Sequence, residues 1–149
     1  MSTTRRGFLK GTTAGAGVAA ASLCTGCSVF LKRATPDLRF PGGTEVVRVS
    51  LAEHPVLADS HGVAHLVSED ERIRVVVIRD AAGALIALSM ECTHWGSDVR
   101  YRPDEGRLVC PSHGSAFDLQ GQVVDGPADE PLRRYPVAER DGVIEVTLS

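Results

Sequence analysis

Aromatic residues are scarce in this chain of 149 residues, with four Phe, two Tyr and one Trp making up 5% of it. A core must therefore be built from Val, Leu, Ile and Ala, and a hydrophobic content of 43% is sufficient for one. No long segment keeps a helical period, and there are no internal repeats or low-complexity tracts. These absences exclude helical bundles, solenoids and unstructured tethers. Acidic residues are missing before Asp37, while from there on 19 acids stand against 11 bases. Such a domain lacks the basic face that phosphate contacts require, so nucleic acid is not expected as a partner. No nucleotide-binding motif and no evident catalytic base occurs, so no catalytic pocket of its own is expected. Its length suits one domain with a short extension.

The extension comes first. Residues 1–34 open with MSTTRRGFLK, run through 21 uncharged residues from Gly11 to Leu31, and close on Lys32-Arg33. That is the layout of an export signal. Arg5-Arg6 followed by Gly-Phe-Leu-Lys resembles the twin-arginine signal, which implies export of a folded protein with its cofactor already in place. The expected location is the periplasmic side of the cytoplasmic membrane, with membrane association. Three fates remain open for this segment. At about 1.5 Å per residue a helix of this length just spans a bilayer, although only Val18, Leu23, Val29, Phe30 and Leu31 are strongly apolar. Ala19-Ala20-Ala21 offers a cleavage site, and Cys24-Thr-Gly-Cys27 resembles a lipoprotein box with Cys24 where Leu is usual.

Residues 35–44, with two prolines and two glycines in TPDLRFPGG, read as a linker, and the domain is expected over 45–149. Short β-type runs then follow at turn-length spacing: EVVRVS, IRVVVIRD, ALIALSM, RLVC, GQVV, YPV and VIEVTL. The Ala-Ala-Gly between the second and third, and the Arg-Asp-Gly before the last, predict hairpins. The stretch HPVLADSHGVAHLVSE is compatible with a short helix or a turn. The fold class is all-β, built of antiparallel sheets.

Beyond the extension only two cysteines remain, and each has a histidine close behind it: Cys92-Thr-His94 and Cys110-Pro-Ser-His113, with 15 residues between His94 and Cys110. Both pairs follow apolar strand-like runs and lie in loops containing Gly and Ser. Brought together, they offer two thiolates and two imidazoles. A Cys92–Cys110 disulfide would account for the thiols of an exported protein but leave the histidines without a role. Zinc accepts this donor set, although it is usually bound by one pair of cysteines and one of histidines. A structural zinc-binding module thus stands beside an iron–sulfur site.

The pattern C-x-H, 15 residues, C-x-x-H resembles the Rieske iron–sulfur motif. AGALIALSMECTHWG is similar to the strand and first cluster loop of that family. RLVCPSHGSAFDLQGQVVDGPADEPLRRYPV is similar to its second loop, hairpin and proline loop. The resemblance implies a Rieske domain with two cluster loops at one tip. It also implies one [2Fe–2S] cluster per chain, with Cys92 and Cys110 on one iron and His94 and His113 on the other. Replacing two thiolates by neutral imidazoles makes the oxidised site neutral instead of dianionic, so an electron enters more easily and the potential lies somewhere from about −150 to +300 mV.

Ser115 is implied to hydrogen-bond a bridging sulfide. Phe117 stands where high-potential relatives carry a tyrosine, and Ser97 and Ser112 where they carry a loop-linking disulfide, so an intermediate potential is expected. The implied function is one-electron transfer through His94 and His113 to a cytochrome or a large oxidoreductase subunit. A quinol–cytochrome c reductase or an arsenite-oxidase-like complex, with quinol as a further partner, is the alternative. Pro127 is implied to pack over the cluster edge. Trp95 is read as loop packing, and His54, His61 and His65 as surface or turn residues. Gly96, Gly114 and Gly126 are read as permitting tight turns.

Overall fold

The computed structural model describes residues 35–149. The strands are β1 (Asp37–Phe40), β2 (Val46–Ser50), β3 (Val63–Ser68), β4 (Arg74–Arg79), β5 (Leu85–Ser89), β6 (Arg100–Arg102), β7 (Arg107–Val109), β8 (Ala116–Phe117), β9 (Val123–Asp125), β10 (Val137–Arg140) and β11 (Val143–Thr147). They build three sheets, in the orders β1-β3-β4-β5, β10-β11-β2 and β6-β7-β8-β9. Pairing is antiparallel throughout these sheets except between β1 and β3. The all-β reading and its antiparallel sheets are therefore what the chain forms.

Both expected hairpins are present, and their turns are chemically specified. Between β4 and β5, the Asp80 carboxylate accepts hydrogen bonds from the backbone N–H of Ala82 (2.9 Å) and Ala84 (2.8 Å). Between β10 and β11, Asp141 and Gly142 both adopt positive φ (51° and 75°), the backbone of a two-residue hairpin turn whose twist matches its strands.

The two kinds of strand pattern follow from layering. In β11 the residues alternate, with Ile144 and Val146 buried and their neighbours half-exposed, so this strand covers a core with one face. In β4 the run Val75-Val76-Val77-Ile78 is buried without interruption. Val75 and Val77 join one core with Val47, Val49, Leu66 and Ile144, whereas Val76 and Ile78 join a second with Leu88, Leu108, Phe117, Cys92 and Cys110. The β1-β3-β4-β5 sheet is thus the middle layer, apolar on both sides. The second core carries the two cysteines.

Two expectations change. The segment read as a linker contains β1, which pairs in parallel with β3, buries Phe40 and brings Asp37 Oδ1 to 2.9 Å from His65 Nδ1. His65 is accordingly a strand residue with a carboxylate partner. The open stretch 54–69 resolves into a 3-10 turn at Pro55–Ala58 followed by β3. Among the described residues no helix is long and apolar enough to cross a membrane. The export signal, the cleavage site, the lipoprotein box and the anchor all lie outside the described residues.

Candidate metal centre

Two loops with the same internal closure carry the cysteine–histidine pairs. In the first, which follows β5, the Cys92 carbonyl accepts from the Gly96 N–H (2.8 Å) and the Cys92 N–H donates to the Ser97 carbonyl (2.9 Å). In the second, between β7 and β8, the Cys110 carbonyl accepts from the Gly114 N–H (3.1 Å) and the Cys110 N–H donates to the Ser115 carbonyl (2.8 Å). Each ring needs the chain to reverse at its fifth residue, and there Gly96 (φ 75°) and Gly114 (φ 81°) take the left-handed backbone. Gly-Ser at the same offset from both cysteines is the mark of this repeat in the sequence.

The loops bring the four expected side chains together as two pairs, the Cys92 and Cys110 thiols in the second core and the His94 and His113 rings against each other. Cys92 and Cys110 are free thiols, 1% and 2% exposed. Burial pushes the Cys110 thiol up. Hydrogen bonds from the Ser112 N–H, the Cys92 thiol, the His113 N–H and the Ser112 hydroxyl outweigh it, and its pKa lies below the usual thiol value. Converging backbone N–H groups of this kind make a concavity that favours a thiolate, the form in which cysteine binds metal. The His94 and His113 rings meet edge to face, with centroids 5.0 Å apart. His94 Nδ1 is buried and has no hydrogen-bond partner among the described residues. A buried ring nitrogen without a partner is costly unless something else accepts its lone pair, and a metal ion does so. Two buried thiols and an orphaned imidazole nitrogen, on loops of matching closure, fit an iron–sulfur cluster.

The family model for the Rieske [2Fe-2S] domain matches residues 40–136. The chain belongs to the Rieske [2Fe-2S] family. Its cofactor is accordingly a Rieske-type [2Fe–2S] cluster. Among curated relatives, this Rieske chain is 34% identical over 74 residues to the cytochrome b6-f complex iron-sulfur subunit of Chlorobaculum tepidum, covering 50% of this chain and 41% of that one. It is 31% identical over 94 residues to the cytochrome b6-f complex iron-sulfur subunit 2 of Nostoc, covering 62% of this chain and 53% of that subunit. The chain thus spans about half or less of the length of these relatives. Among solved structures, the plasma membrane Rieske protein PetC3 from Synechocystis superposes with a TM-score of 0.56 at 28% identity, over 68% of this chain and 98% of that one. The ferredoxin of carbazole 1,9a-dioxygenase from Nocardioides aromaticivorans shares the fold, with a TM-score of 0.55 over 70% of this chain and 98% of that one, at 22% identity.

A third loop, after β9, locks the other two together. The Thr93 hydroxyl donates to the Glu130 carbonyl (2.7 Å), and the Ala128 N–H donates to the Ser115 hydroxyl (3.1 Å). Ser115 is fully buried. Gly126 (φ 93°) presses so close that a Cβ there would lie 2.5 Å from Ser115 Cα, which only glycine permits. Pro127, implied to cover the cluster edge, is exposed, while Ala128 and Leu132 of this loop are buried.

Three features of the site go beyond the sequence reading. Trp95, expected to pack within its loop, is instead 74% exposed. Its ring stacks on His94 with centroids 5.1 Å apart and meets His113 edge-on at 4.9 Å. The Ser97 and Ser112 hydroxyl oxygens lie 2.8 Å apart, within hydrogen-bond reach, joining the two cysteine loops directly. Arg74, on β4, pairs with Asp98 of the first loop at 3.0 Å. Phe117 lies fully buried in the core that holds both cysteines, where its ring offers them no hydrogen bond.

Proposed function

We propose that this Rieske protein is a one-electron carrier in which Cys92 and Cys110 ligate one iron and His94 and His113 the other. The observation that carries this reading is the pair of identically closed loops that bury both thiols and leave His94 Nδ1 without a partner among the described residues. When bound, such a cluster takes up and releases one electron. The cysteines, sealed in the second core, keep water from one side, while the half-buried His94 and exposed His113 form the outer face. Ser115 is read as a hydrogen-bond donor to the cluster: its oxygen already accepts the Ala128 N–H, and its own hydrogen is free to donate. Phe117 provides no such donor. This supports a potential between those of quinol-oxidising and oxygenase-ferredoxin relatives.

The twin-arginine-like start supports export to the periplasmic side of the cytoplasmic membrane, with a cytochrome or a larger oxidoreductase subunit as redox partner. A quinol–cytochrome c reductase subunit is the second reading, favoured by similarity to cytochrome b6-f iron–sulfur subunits. Ser97 and Ser112, where the loop-linking cysteines of that class are expected, speak against it. Co-purification with a large membrane subunit would favour it. The deciding experiment is electron paramagnetic resonance of the reduced protein with metal analysis. A Rieske-type signal with two iron atoms per chain is expected, with loss of signal on replacing any of the four ligands. A colourless protein holding zinc and no iron would refute the proposal and establish a structural zinc module.

A further inference from the structure

The tip around the two histidines has a charge pattern that the electron-carrier reading does not itself require. Between residues 91 and 99, and again between 110 and 132, there is no lysine or arginine. The same stretches contain Glu91, Asp98, Asp118, Asp125, Asp129 and Glu130. Of these, Glu91, Asp125, Asp129 and Glu130 are exposed and form no ion pair among the described residues; Asp98 is paired with Arg74, and Glu91 and Glu130 line a groove with Arg72, Arg74 and Arg133, so Asp125 and Asp129 carry the unopposed negative charge. Beside the two histidine rings stands Trp95, one of two large hydrophobic side chains exposed among the described residues. An indole 74% exposed loses favourable burial unless a partner covers it. Its stacking on His94 and contact with His113 place whatever covers it against both outer rings.

We infer that this face docks a basic redox protein, with Trp95 filling an apolar patch beside the partner's own redox centre and the carboxylates facing a surrounding ring of Lys or Arg. This rests on the electron-transfer reading and specifies its partner by chemistry. An aromatic anchor within a charged rim divides the work: the rim raises the encounter rate, and the anchor holds the docked complex. In the step itself the reduced cluster gives one electron to the oxidised partner, with no bond made or broken.

The test uses the full-length holoprotein, reduced and mixed in a stopped-flow instrument with a basic mitochondrial cytochrome c, and separately with ferricyanide, which needs no docking surface. The second-order rate constant with cytochrome c is expected to fall as ionic strength rises. The triple variant Asp125→Asn/Asp129→Asn/Glu130→Gln should be slower by about tenfold at low salt and less salt-sensitive. Trp95→Ala should slow the reaction at high salt as well, where steering is screened. Ferricyanide should oxidise the triple variant at least as fast as the wild type. A cytochrome c rate that rises with salt, or that the triple variant leaves unchanged, overturns the inference. If the triple variant loses its cluster, the salt dependence of the wild type decides alone. A protein with no reduced signal and no reaction with either acceptor would instead overturn the underlying electron-transfer reading.

Discussion

The 2.8 Å hydroxyl–hydroxyl contact between Ser97 and Ser112 allows a quantitative test of the loop geometry. The two side chains point at one another across the cluster-bearing tip, close enough that cysteines in their places should form a disulfide without moving the backbone. The loop so closed would span 15 residues, since the two positions are that far apart in sequence. Closing a loop of this length removes about 10 cal/mol/K from the unfolded chain, or about 3 kcal/mol at 25 °C. For a domain of roughly this size, each kcal/mol moves Tm by about 4 °C, so the oxidised Ser97→Cys/Ser112→Cys protein should melt about 12 °C above its reduced form. The disulfide replaces a hydroxyl hydrogen bond worth about 1 kcal/mol, so the gain over the wild type should be nearer 2 kcal/mol. The assay is thermal unfolding monitored by circular dichroism and cluster absorbance, with and without dithiothreitol, alongside thiol titration of the folded holoprotein. Two unreacted introduced thiols under oxidising conditions, or equal melting in both redox states, would show that the loops are not placed as described.

Other consequences can be measured directly. Gly126→Ala forces a Cβ into the Ser115 backbone and strains a positive φ; a loss of at least about 2 kcal/mol and reduced iron content at constant protein concentration are expected. Ser115→Ala leaves the buried Ala128 N–H without its acceptor, costing about 1–3 kcal/mol in denaturant titrations. If its hydroxyl also donates to the cluster, voltammetry should show a potential lower by about 40 mV, the equivalent of one hydrogen bond of about 1 kcal/mol for a one-electron couple. Phe117→Tyr should raise the potential by a similar amount, and an unchanged value would mean that the added hydroxyl finds no sulfur. The Asp70 carboxylate, held by the Ser68 hydroxyl (2.6 Å) and the Arg72 N–H, has its pKa lowered from the usual value. Its contribution to stability is full above the unfolded-state pKa and fades as pH falls through the lower folded value. In acid titrations below about pH 4, Asp70→Asn should therefore lose stability less steeply than the wild type.

Much of this architecture is legible from local patterns. The β-branched run of β4, the alternation in β11 and the Asp-Gly turn each act over a few residues, and each forms as read. The Cys-x-His and Cys-x-x-His pairs leave a disulfide, zinc or an iron–sulfur cluster open, and their meaning comes through resemblance to the Rieske motif. What escaped is non-local. Strand β1 looked like a linker because prolines and glycines flank it, and its identity comes from β3, some 28 residues away along the chain. Thr93 meets Glu130 across 37 residues, and Arg74, on β4, reaches Asp98 in the first cysteine loop. No local pattern announces either contact. Trp95 departs from expectation for a different reason: an aromatic residue is more often covered than not, and only the three-dimensional structure shows this one stacked on His94 and edge-on to His113 while facing solvent.

The uninterrupted apolar run of β4 has a consequence for how this molecule tolerates change. Because successive residues of β4 and β5 face opposite ways, a one-residue step along either strand switches a side chain between two separate bodies of packing. Val75, Val77 and Ala87 belong to the body that does not touch the cysteines, and Ile78, Ile86 and Leu88 to the body that does. Wear on the first side is a matter of folding alone, since no cluster residue borders it. Wear on the second also alters the packing around Cys92 and Cys110. Adjacent positions in one strand thus answer to different neighbours: one to a body of packing that serves the fold alone, the next to the body that encloses Cys92 and Cys110.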